Sequence, residues 1–254
     1  MQLKTGYPGQ AMVEFLIILP VLLMLILGIL QFAFIYQAKI TLNYATFEAA
    51  RAGSLNNAKM SSMETAFASS MAALYTVETG KDAFITARQK LRDEIEDEYV
   101  RISIINPGPE SFNDHGLNID GQMTIPNDNL MYRDATPAVG GSNQTIQDAN
   151  LLKVHIGYCF ELIVPFVNRI LWSMQRYGPG EPPPDPVSSY GRPWVTADTA
   201  NLDPGFFGPP AAGSFAESCI KNPNESSRLS IVLYSQSIIR MQSPAIQCEI
   251  DDSC

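Results

Sequence analysis

The pattern of apolar and polar positions opens with a stretch that has no polar face at all. From Phe15 to Tyr36 the chain reads FLIILPVLLMLILGILQFAFIY, 22 residues without a charge. At about 1.5 Å per residue a helix of that length crosses a hydrocarbon layer of about 30 Å, so the run predicts a transmembrane helix. Pro20 and Gly28 would weaken a helix in water, but both are tolerated in a bilayer, and Pro20 stands near enough to the start to forfeit only an early hydrogen bond. A secretory signal is the rival. Its apolar core is shorter, about 7 to 15 residues, and no small-x-small cleavage site follows this run.

Beyond the run a three-to-four residue period continues through Ile40, Tyr44, Phe47 and Arg51, beside a patch of Ala45, Ala49, Ala50 and Ala52. Small side chains let another helix approach closely, which suits packing within an assembly. A break is expected over Gly53 to Asn57. Met60, Met63, Phe67, Met71 and Leu74 then mark an amphipathic helix whose methionines are core filler. A turn at Thr79 to Asp82 leads to a further helix marked by Phe84, Arg88, Leu91 and Ile95, with a charged, solvated outer face.

The period then changes from helical to alternating. Tyr99 to Ile105 reads as a strand closed by Asn106-Pro107-Gly108-Pro109, and Leu151 to Leu162 and Arg228 to Met241 read as two more. Residues 111 to 150 are mainly loop, with weak strand signals from Leu117 to Ile125; Ile163 to Met174 is a short helix or a further extended run. Residues 176–213 hold nine of the 18 prolines and six of the 17 glycines, which forbids regular helix and central strand there. The expected fold is therefore α+β. A transmembrane helix at 10–38 leads through a helical stalk at 39–98 to an extracytoplasmic domain at 99–254, with a small, mostly antiparallel sheet and a Pro/Gly-rich insertion at 176–213.

Charge and cysteine usage narrow the function classes. Lys and Arg total 17 against 26 Asp and Glu, and the net charge of -9 sets the chain against phosphate backbones, so no nucleic-acid partner is expected. Cys159, Cys219, Cys248 and Cys254 all fall in the last 96 residues and none forms a C-x-x-C pair. In an exported region they read as disulfides rather than as a metal or redox centre. Four cysteines permit three pairings. Cys248 with Cys254 would close a small loop and Cys159 with Cys219 would tether the Pro-rich insertion, and this pairing is favoured while the others stay open. The two histidines, His115 and His155, belong to no metal or nucleophile motif, and no G-x-S-x-G, P-loop or H-E-x-x-H occurs. No catalytic residue, cofactor or metal is expected, and the chain is read as a non-enzyme.

Glu14 is a lone carboxylate one step before the apolar run. At a bilayer centre such a charge costs about 2.5 to 3.5 kcal/mol, less near the interface, and a cation would relieve it. Were the chain cut between Gly9 and Gln10, the new α-amino group would lie four residues away, about 6 Å along a helix. The alternative is an interfacial charge at a helix start, favoured by the helix dipole.

The heptapeptide Gly9-Gln10-Ala11-Met12-Val13-Glu14-Phe15, followed at once by an apolar helix with Pro20 and Gly28, resembles the N-terminus of TadE-like proteins, the minor pseudopilins of tight-adherence (type IVc, Flp) pilus systems. The run Phe47-Glu48-Ala49-Ala50-Arg51-Ala52-Gly53 is similar to the family too, and less distinctively so is Tyr158-Cys159-Phe160-Glu161-Leu162-Ile163-Val164-Pro165. The resemblance implies a leader at 1–9 removed by a prepilin peptidase after Gly9, with Gln10 the first mature residue and Glu14 the fifth, and it gives Glu14 and Phe15 a part in helix assembly. It further implies a single-pass protein of the bacterial inner membrane, its C-terminal domain periplasmic or extracellular, whose partners are the peptidase and other pilins and pseudopilins of the system. The insertion at 176–213 departs from the shorter family pattern. Two other readings remain: an uncleaved membrane-anchored binding module, and an envelope hydrolase working through carboxylates.

Overall fold

The computed structural model describes residues 8–76, 80–119, 121–139, 141–177, 215–221 and 229–250. The first helix, α1, runs from Pro8 to Leu55 without interruption, through Pro20. Its 48 residues extend about 72 Å, more than twice a bilayer core. The lower part leaves its side chains exposed, whereas above Leu30 one face, Gln31, Ile35, Ala38, Leu42, Ala45 and Ala49, is buried at helical spacing.

The chain reverses at Asn56 to Lys59, where Asn57 and Ala58 take left-handed φ values of 57° and 62°. Asn tolerates that conformation better than most residues. Helix α2 (Met60–Tyr75) returns along α1 and α3 (Lys81–Glu96) packs on α2. The expected methionine core is present, with Met63 and Met71 fully buried beside Phe67, Ala68 and Ala72. Ala45, Ala49 and Ala50 join the same cluster at zero exposure. The space left by the small residues of α1 is thus filled inside the chain itself, not by a second molecule.

Strand β1 (Val100–Asn106) is followed by α4 (Pro109–His115), the β2 (Leu117–Ile119) and β3 (Gln122–Ile125) hairpin, a single 3-10 turn at Leu130–Tyr132, and α5 (Ile146–Ala149). Then come β4 (Leu151–Glu161), α6 (Val167–Tyr177), α7 (Phe215–Lys221), β5 (Ser230–Arg240), β6 (Ala245–Ile246) and α8 (Gln247–Ile250). Two sheets result, β1-β4-β5 and β2-β3-β6, antiparallel at every pairing. The expected α+β class with a small antiparallel sheet holds.

Strand β4 lies at the centre and is buried on both faces. Alternation sorts its side chains: Leu152, Val154, Ile156, Tyr158 and Phe160 enter the core shared with α1 and α2, while Cys159 joins Phe215, Ala216, Cys219 and Val232 in a smaller cluster under α7. The far end of α1 is held by the C-terminal turn. The Ser54 carbonyl accepts from the backbone N–H groups of Gln242 and Ser243 and from the Ser243 hydroxyl, and Asn57 Nδ2 donates to the Pro244 carbonyl at 2.8 Å. Those bonds satisfy a helix end that would otherwise leave carbonyls bare.

Candidate membrane and assembly site

Met12 to Ile26 is exposed at every described position, followed by partly covered Leu27 and Gly28 and exposed Ile29 and Leu30. Bare apolar side chains in such number on a folded chain mark a surface that meets something other than water. Met12–Leu55 is long and apolar enough to cross a membrane, and none of its most apolar window is buried. From Met12 to Leu30 the helix rises about 28 Å, close to a hydrocarbon core of about 30 Å. Glu14 and Phe15 are both exposed in this lower part, Glu14 in the second turn of α1. The backbone of Gly9 and Gln10 belongs to the first turn; their side chains lie outside the described residues.

At Gln31 the surroundings change. This amide, set in a run read only for its want of charge, is fully buried, and its Oε1 accepts the backbone N–H of Val164 at 2.9 Å. Its Nε2 has no partner among the described residues. The bond fastens the segment after β4 to α1 at the level of Gln31. Higher up, Lys39 Nζ donates to the Tyr234 carbonyl of β5, so the first cation beyond the apolar run is tied to the sheet. On the side of α1 away from the sheet, Tyr36, Ile40, Tyr44 and Phe47 form an exposed stripe that prolongs the apolar surface.

Residues 9–51 match the family model described as TadE-like protein. The N-terminal segment is thus similar to TadE-like proteins. The match spans all but the ends of α1 and stops before α2, and no curated protein and no solved structure matches the chain. The matched segment holds the helix that is long and apolar enough to cross a membrane, which agrees with a membrane-anchored chain.

Two sites lie above the bare length of α1. Cys159 and Cys219 form a disulfide with Cα atoms 5.8 Å apart, joining β4 to α7 across the segment that contains the Pro-rich insertion. The described cysteines are all bonded, Cys248 included, and Cys254 lies outside the described residues, as does most of 176–213.

The second is a cleft of about 420 Å³ between α1, α2, α3 and β4, lined by Phe34, Gln37, Tyr75, Lys90, Glu94 and Glu161 among others. At its base the hydroxyls of Tyr75 and Tyr158 hydrogen-bond to each other, and Tyr75 reaches both oxygens of Glu94 at 3.1 and 3.2 Å. Lys90 Nζ stands 4.3 Å above the Tyr75 ring. Burial first, then the charge of Glu94, raises the Tyr75 pKa; burial first, then its tyrosine neighbour, raises that of Tyr158. Nothing in the sequence pairs these residues, because they come from three separate elements. His155, which belongs to no metal or nucleophile motif, is buried in β4, stacked on Tyr234 and within 3.2 Å of Gln236. Among the described residues no cluster of His, Cys, Asp and Glu is arranged for a metal.

Proposed function

We propose that the protein is a minor pseudopilin of a Tad-type pilus, held in the inner membrane by α1, with its domain outside the cytoplasm, and that its work is mechanical rather than catalytic. The observation that carries the reading is the division of one helix: a bare apolar length equal to a bilayer core, continued by a length that forms the centre of the domain. A prepilin peptidase cuts between Gly9 and Gln10, and the freed amino group neutralises Glu14 in the same or a neighbouring subunit. Phe15 and the bare face then leave lipid to pack against the helices of other pilins, with the stripe from Tyr36 to Phe47 extending that contact beyond the membrane. The family match over residues 9–51 supports this reading.

Mass spectrometry of the mature chain tests it. A mature N-terminus at Gln10 in cells that have the peptidase, and at Met1 in cells that lack it, is the expected result. An unprocessed chain in both strains overturns the pseudopilin reading in favour of the uncleaved binding module. Among the described residues, the cleft with Glu94 and Glu161 is a feature that favours an envelope hydrolase. A Glu94→Gln, Glu161→Gln double variant that assembles pili normally argues against it.

A further inference from the structure

Helix α6 has two apolar sides, and only one of them is used. Val167 and Leu171 are buried in the main core together with Val164, whereas Ile170 and Met174 on the other side of the helix are 43% and 46% exposed, as are Ile163 and Phe166, 65% and 67%, in the segment that leads into it. Arg169 is also exposed and stands at the margin of that outer face. Phe166 opens the helix with a φ of 67°, a left-handed conformation that a bulky side chain seldom adopts. An aromatic residue is thereby held outward at a position where a smaller residue would be less strained.

The level of this face along α1 is fixed. The Val164 N–H bond to Gln31 places the start of α6 at the upper end of the bare length, and Leu27 packs against the same core that takes in Val164, Val167 and Leu171. Gln31 lies about 7.5 Å below Tyr36 along the helix. The outer face of α6 therefore begins at the level where the bare length of α1 ends, with the helix packed on both α1 and β5. We propose that α6 is an interfacial helix: Ile170 and Met174, with Phe166 just before the helix, dip into the leaflet nearest the domain, and Arg169 reaches the headgroup phosphates. An amphipathic helix in such a position buries its apolar face about 5 to 10 Å into the boundary between headgroups and acyl chains, and a long cationic side chain at its margin snorkels outward. The domain then rests on the membrane at two places, α1 and α6, and cannot swivel about its anchor. The inference rests on α1 as the membrane anchor.

Photo-crosslinking of the full chain in cell envelopes tests it, with p-benzoylphenylalanine placed singly at Phe166, Ile170, Leu25 and Tyr44. Leu25 reports on the anchor, and Tyr44, about 20 Å above Gln31 on the same helix, reports on the domain side. Phospholipid adducts at Phe166 and Ile170 comparable with those at Leu25, and their loss at Tyr44, are expected. Adducts at Leu25 with none at Phe166 and Ile170, or adducts at those two to protein alone, overturn the interfacial helix and leave the anchor standing. Absence of lipid adducts at Leu25 as well overturns the anchor and this inference together.

Discussion

The buried tyrosine pair makes the stability of the domain fall in alkali in a way that an exposed pair would not. Tyr158 is 1% exposed, Tyr75 is partly covered, and the pKa of each is raised above its usual value of 10.0. The unfolded chain then loses these protons at a pH where the folded chain still holds them. The pair's contribution is complete below pH 10 and drains away as the pH rises toward the folded pKa values. Above that threshold the loss grows with each further unit of pH, until the folded chain itself begins to give up the two protons.

Urea unfolding of the full chain in detergent, followed by tyrosinate absorbance at a series of pH values, reads this directly. Tyr158→Phe and Tyr75→Phe each remove about half of the alkaline loss, and the double variant removes it. At neutral pH the two single variants differ. Without Tyr158 the Tyr75 hydroxyl keeps Glu94, at a cost of about 1 kcal/mol, whereas without Tyr75 the Tyr158 hydroxyl is left buried and bare, at about 1 to 3 kcal/mol. Parallel alkaline losses in the wild type and the double phenylalanine variant would refute the reasoning.

Other perturbations test other joints of the molecule. A Cβ on Gly157 would stand 2.6 Å from two ring atoms of Phe215, so Gly157→Ala displaces α7 and lowers stability by about 1 to 3 kcal/mol, read as a lower urea midpoint. The Cys159–Cys219 bond spans 60 positions, and on a chain-entropy basis the double serine variant loses about 4 kcal/mol, with faster proteolysis near α7 as the readout. Glu14→Gln leaves membrane insertion intact, because it removes a charge near the bilayer, but lowers the yield of sheared fibres if the carboxylate pairs with a neighbouring amino terminus.

Much of this architecture was legible because it rests on period. The break expected over 53–57, which falls after Leu55, the helices through Met63 to Met71 and through Leu91, and the strands expected at 99–105, 151–162 and 228–241, which match β1, β4 and β5 to within two residues, all follow from which positions repeat. Short helices were harder to see. Gly108 and Pro109 read as the close of a strand, yet Pro109 is the first residue of α4, where proline's missing N–H costs nothing. Helix α7 stands just beyond a Pro-rich stretch with too few residues to show a period. The alanine patch told of close packing but not of the partner, since a small residue advertises space rather than the helix that fills it; α2 and the sheet fill it here. Glu14 stands out in the sequence as a lone carboxylate before the apolar run, the Gly9–Gln10 bond is singled out through resemblance, and Gln31 is visible as the one amide in that run, with nothing in the pattern to show the backbone N–H that it meets.

Gln31 explains why the boundary of the membrane-facing surface does not coincide with the end of the hydrophobic run. Hydropathy counts Gln31 to Tyr36 with the residues before them, because five apolar neighbours outweigh one amide. The fold counts differently. It covers Gln31 completely and Ile35 almost so, so these side chains are solvated by the domain and are closed to lipid. An amide carbonyl whose bond is supplied by a backbone N–H can sit at that depth, whereas in open hydrocarbon it would cost several kcal/mol, about 4 to 8 for a group left without a partner. The domain therefore reaches down one face of the helix to the amide that the bilayer would not accept, while Phe32, Phe34 and Tyr36 stay exposed on its other sides, and the stretch below, Met12 to Leu30, exposed but for the partly covered Leu27 and Gly28, is the length a bilayer core can cover.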